Sequence, residues 1–129
     1  MRHLLLALAL LPAPLRADTP LSPEDFEAEV TGRTLTYATP DGPYGVERYM
    51  DGRRVIWGFV GGDCFEGVWF PQDDAICFAY DAIEEVQCWR FWRDDDGDGL
   101  VAEFTGAGGG TLFELTEDGV PLVCGGVGA

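Results

Sequence analysis

The sequence predicts a mainly β fold: an antiparallel meander forming a curled sheet or small up-and-down barrel, with one short N-terminal helix. Three observations carry this. From Thr34 onward, short runs rich in Thr, Tyr, Val, Phe and Trp alternate with turn clusters. Asp-Gly pairs at Asp51-Gly52 and Asp118-Gly119 are strong hairpin signals. Connections this short pair successive strands antiparallel, and eight or nine of them in a small domain close or curl on themselves.

The elements follow in order. Ser22 reads as a helix N-cap, Pro23 occupies the first helical position, and Glu24 and Asp25 suit the positive helix end. Phe26 and Val30, four apart, share one face, and Gly32 ends a helix expected over 23–31. Strands are expected over 33–39, 44–50, 53–60, 64–70, 75–80, 86–93, 100–105, 111–116 and 120–124. A two-residue turn at Asp51-Gly52 sets Val46 opposite Trp57, Tyr44 opposite Phe59 and Gly45 opposite Gly58, and leaves Glu47 and Arg54 on the other face. The turn at Asp118-Gly119 likewise sets Leu115 opposite Leu122.

The N-terminus reads as a cleavable signal peptide over residues 1–17. Arg2 and His3 precede an unbroken Leu/Ala run from Leu4 to Leu11, Pro12 and Pro14 break it, and Ala17 precedes the expected cut. The run is far shorter than the ~20 residues needed to span a bilayer. No cysteine follows it to carry a lipid, so no stable membrane anchor is expected. The expectation is a soluble, periplasmic or secreted product, with a single β-rich domain over 18–124 and a flexible tail over 125–129. Loss of Arg2 and Arg16 leaves six arginines against 23 acidic residues, a formal charge of −17. Such a surface repels nucleic acid and anionic lipid.

Four cysteines remain: Cys64, Cys77, Cys88 and Cys124. An even count in a small exported domain reads as two disulfides. If residues 81–85 join two antiparallel strands, Cys77 and Cys88 fall almost opposite, within bridging reach. The expected pairs are therefore Cys77–Cys88 and Cys64–Cys124. No Cys-x-x-Cys occurs, which speaks against a thiolate zinc site or redox catalysis.

Beyond residue 17 the chain has no His, Lys or Asn, and its one Ser is the helix cap Ser22. That removes Ser–His and Cys–His nucleophiles, Schiff-base lysines and histidine metal sites. No catalytic residue and no organic cofactor is assigned. One segment has the look of a metal site. Asp94, Asp96 and Asp98 have the spacing of positions 1, 3 and 5 of a calcium loop, and Gly99 falls at the sixth. Position 12 is Thr105 rather than a bidentate Glu, and the flanks read as strands, so the alternative is a plain hairpin turn.

Trp57, Phe59, Trp69, Phe78, Tyr80, Trp89 and Phe91 fall in the central strands and read as barrel core, with a ligand-stacking platform as the alternative. Arg90 and Trp92 share the opposite face, where the two could stack. The order Tyr44-Gly45-x-Glu47-x-Tyr49, Cys64-x-x-Gly67-x-Trp69, Ile76-Cys77-Phe78-x-Tyr80 and Cys88-Trp89 resembles small exported bacterial proteins of unknown function. The resemblance covers roughly half of the chain beyond residue 17, implies an exported β domain and brings no activity with it.

The functional expectation is a non-enzymatic binding or accessory protein of the periplasm or envelope, whose partner is a protein or a small molecule. The alternatives are an exported enzyme inhibitor presenting loop 94–99, and a glycoside hydrolase built on two carboxylates alone.

Overall fold

The computed structural model describes residues 19–95, 99–117 and 119–124. The expected signal peptide and the tail 125–129 lie outside these residues. The described residues form one α-helix, α1 (Pro23–Val30), then eight strands: β1 (Thr34–Thr39), β2 (Gly42–Met50), β3 (Arg54–Phe59), β4 (Cys64–Gln72), β5 (Ala75–Tyr80), β6 (Gln87–Arg93), β7 (Leu100–Phe104) and β8 (Thr111–Leu115). Each strand pairs antiparallel with the next, and β8 returns to β1 through Thr36–Leu115, Tyr37–Glu114 and Ala38–Phe113. The sheet is thus a closed up-and-down barrel with no free edge. Among the described residues no helix is long and apolar enough to cross a membrane.

The helix closes one end of this barrel. Ser22 caps it by accepting a hydrogen bond from the Asp25 amide (3.1 Å), and its buried residues are Phe26 and Val30. The Phe26 ring meets Trp69 edge-on at 5.1 Å, Tyr49 at 5.8 Å and Phe91 at 4.6 Å. Aromatic edges on ring faces are a favoured geometry, so three strands and the helix converge on one side chain. Around this floor, Arg33 bridges to Glu114 and Arg53 to Glu27, each at 2.9 Å, and the Arg53 guanidinium lies 4.5 Å above the Trp69 ring.

The segment after β8 departs from expectation. Residues 119–124 form no strand, and Leu115 pairs with Thr36 instead of Leu122. Pro121 has no amide hydrogen to offer a ladder. The segment is held by side-chain chemistry instead: Thr36 Oγ1 accepts from the Val120 amide (2.9 Å) and donates to its carbonyl oxygen (3.1 Å). It lies along the outside of β1–β3, beside Val46 and Gly58, and ends in the Cys64–Cys124 disulfide. This explains why β1 is buried on both faces from Leu35 to Ala38. The second disulfide joins Cys77 to Cys88 across β5 and β6, where the two residues are direct partners.

Two outcomes follow for stability. Phe26→Ala should lower the unfolding free energy by about 3–5 kcal/mol in urea denaturation, because a filled floor becomes a void. Replacing Cys64 and Cys124 together by Ser should cost on the order of 4 kcal/mol, since the bridge closes a loop of 60 residues. Calorimetric melting of the two variants beside the parent checks both.

Candidate functional site

The site begins with a turn. Asp51–Arg53 is a three-residue connection in which Gly52 (φ 72°) and Arg53 (φ 58°) both adopt left-handed conformations. Met50 therefore pairs with Arg54, Tyr49 with Val55 and Glu47 with Trp57. The two-residue turn expected from Asp51-Gly52 is corrected by one position: Val46 faces Gly58 and Gly45 faces Phe59. A one-residue slip exchanges the two faces of a strand. Glu47, expected on the outside, is consequently inside the barrel and only 1% exposed.

A second irregularity completes the wall. Along β1, Tyr37 pairs with Gly45 and Ala38 with Pro43, so Tyr44 is the extra residue of a β-bulge. Its ring is carried toward the barrel mouth, 5.9 Å from Trp57 and 5.5 Å from Phe59. Gly45 matters for a different reason: a Cβ there would overlap the Trp57 indole, which lies against the β2 backbone.

These placements line a cavity of about 50 Å³ that is partly open to solvent. All four tyrosines of the chain line it. Phe78, Phe91, Ala102 and Leu112 form the deeper apolar wall, and Trp57 and Trp89 flank it. At the mouth, Tyr44 is 43% and Phe59 38% exposed, with Ile83 and Gln87 half-buried beside them. An eight-stranded barrel is just wide enough for side chains to fill its interior or for it to hold one small ligand.

Glu47 is the one carboxylate among the described cavity-lining residues. Tyr80 donates to its Oε1 at 2.7 Å, while Oε2 is buried without a hydrogen-bond partner. Burial lifts this carboxyl from the ordinary acid range to about 8; the Tyr80 bond opposes the rise without cancelling it. Burial likewise raises the phenols of Tyr37, Tyr49 and Tyr80, which stay neutral. Tyr37 and Tyr49 bond to each other through their hydroxyls at 2.8 Å. At neutral pH the interior therefore holds a neutral carboxylic acid among neutral phenols and aromatic faces. An unsatisfied buried polar oxygen costs about 1–3 kcal/mol, which a ligand group reaching Oε2 would recover.

Glu114, the other acid on the inner face of the sheet, is committed to structure. Its Oε1 accepts from the Leu100 amide (3.1 Å) and its Oε2 from Arg33. Of the residues singled out in the sequence, Asp94 follows the last residue of β6, and its amide donates to the Gly99 carbonyl at 2.8 Å. Asp96 and Asp98 lie outside the described residues, and among the described residues no group of three acids, cysteines or histidines is placed to hold a metal ion. Arg90 donates to Asp74 Oδ2 at 2.9 Å, and Trp92 is half-buried. Of the seven central aromatics, six line the cavity, while Trp69 packs under the helix. Most of these aromatics belong to the buried core, as the core reading expected. Comparison of the chain with protein-family models, with curated proteins and with solved structures finds no match.

The buried acid gives a pH signature of defined sign. Glu47 binds its proton more tightly folded than unfolded, so the folded state loses stability as pH rises from about 4.5 to about 8. Below that window Glu47 contributes no pH dependence. Glu47→Gln should remove a loss on the order of 5 kcal/mol between the ends of the window. Urea titrations of parent and variant at pH 4.5, 6, 7 and 9 should diverge progressively, with the variant the more stable at high pH.

Proposed function

We propose that this protein is a non-enzymatic binding protein that holds one small, largely apolar molecule inside its barrel. The observation that carries this reading is the aromatic cavity with an unpartnered Glu47 oxygen in its wall. A barrel serving only as a scaffold gains nothing from a buried acid; a ligand site gains a polar contact that fixes orientation. The two disulfides fit an oxidising compartment outside the cytoplasm, in line with the leader read from the sequence. The absence of His and Lys from the chain beyond residue 17 favours binding over turnover.

The test is a neutral fluorescent probe, N-phenyl-1-naphthylamine. Its emission should rise and shift to the blue with a stoichiometry of one per chain. Excitation of tryptophan should sensitise it, because Trp57 and Trp89 form the wall. Ala102→Phe, which fills the deep part of the cavity, should abolish the signal while leaving the melting transition cooperative. Undiminished binding to that variant would place the probe elsewhere and sink the reading.

A further inference from the structure

Two features of the open end are unexplained by a purely apolar ligand. The first is the buried acid itself. The second is charge placement. The open end is formed by connections 40–41, 60–63, 81–86 and 105–110, since α1 covers the other end. These four connections carry Asp41, Asp63, Asp81, Glu84 and Glu85, and no basic residue. Arg33, Arg53, Arg54 and Arg93 gather at the helix end instead, three of them in bridges with Glu27, Glu29 and Glu114. The mouth is therefore a one-sign rim above an aromatic shaft that ends on a carboxyl group. A rim of one sign concentrates ions of the other.

We infer that the cavity receives a small organic cation, an ammonium group on an aromatic or aliphatic body, with the ammonium between Glu47 Oε2 and the ring faces of the surrounding tyrosines and tryptophan. The inference rests on the cavity being a ligand site and names its ligand class. Aromatic faces attract cations through their negative quadrupole, and the effect grows when water is excluded. Trp57, Tyr37, Tyr49 and Tyr80 supply such faces around the acid. An ammonium also matches the unsatisfied oxygen, because it offers donors only. A carboxylate or phosphate ligand would meet a rim of like charge and no basic side chain among the described lining residues.

Cation binding moves a proton. The groups around Glu47 are Tyr37 from β1, Tyr49 from β2 and Tyr80 from β5, with Glu114 of β8 and its partner Arg33 acting on Tyr37. The phenols stay protonated and Glu114 is already paired, so Glu47 is the group that responds. It enters the complex as a neutral acid, leaves its proton to the buffer and becomes the counter-charge of the ammonium. Near neutral pH about one proton should be released for each cation bound.

The experiment uses three ligands of one skeleton: phenethylamine, 2-phenylethanol and phenylacetate, each competing against N-phenyl-1-naphthylamine on the purified protein. Phenethylamine should displace the probe at concentrations about tenfold or more below 2-phenylethanol, and phenylacetate should compete least. Calorimetry in two buffers of different ionisation heat should count the released proton. Glu47→Gln should lose both the amine preference and the proton release. The proton count is read on the unaltered protein, so it stands as a test even if that variant does not fold. Equal displacement by amine and alcohol, or amine binding without proton release, overturns the cation assignment and leaves the binding reading intact. No probe binding at all removes both.

Discussion

The three residues between β2 and β3 decide what the interior of this barrel is made of. With Asp51, Gly52 and Arg53 all in the turn, β2 directs Gly45, Glu47 and Tyr49 inward; with only two, it would direct Tyr44, Val46 and Arg48. The choice is thus between burying a glutamate and burying an arginine. A glutamate can shed its charge by taking a proton, and an arginine cannot at any accessible pH. The observed register is the one the interior can tolerate. Everything at the site follows: the Tyr80 bond, the free oxygen, and the space beside Gly45 into which the Trp57 ring folds.

The same constraint divides the barrel into two functional halves. Near the helix, polar groups are matched: Glu114 meets an amide and a guanidinium, and the aromatic rings of Phe26, Trp69 and Phe91 fill the section. Toward the mouth, the matching stops. Glu47 has one partner for two oxygens, and Tyr44 and Phe59 stand partly in water. Packed, satisfied structure thus supports a half-satisfied one, an arrangement in keeping with the proposed binding site.

Much of this architecture was legible in the residues. Ser22-Pro23 marked the helix start, the aromatic and β-branched runs marked eight strands, and the pairing of Cys77 with Cys88 followed from hairpin geometry. The interior acid was not legible, for a physical reason. Both faces of β2 mix apolar and charged residues, so hydrophobic alternation does not choose between them, and the turn length does. The usable hint was the Arg53-Arg54 pair beside Asp51-Gly52: placing Arg53 in the turn keeps Arg48 out of the core. The ninth strand failed at Pro121, where a residue without an amide hydrogen and a threonine clasp took the place of a ladder. Tyr44 was placed at the right end of β2, but a bulge is a local insertion that alternation patterns do not reveal.

The helix that seals the floor also settles how anything enters or leaves. With Phe26 wedged among Tyr49, Trp69 and Phe91, traffic is confined to the aromatic rim of Tyr44, Phe59 and Ile83. If the barrel binds a guest as proposed, selectivity and dwell time then belong to different parts of the molecule. On the proposed reading, the carboxyl in the shaft would govern which molecule is held, whereas side-chain rotation at the doorway would govern how long it stays. Changes at the rim would therefore retune the exchange rate of such a guest without rewriting its chemistry.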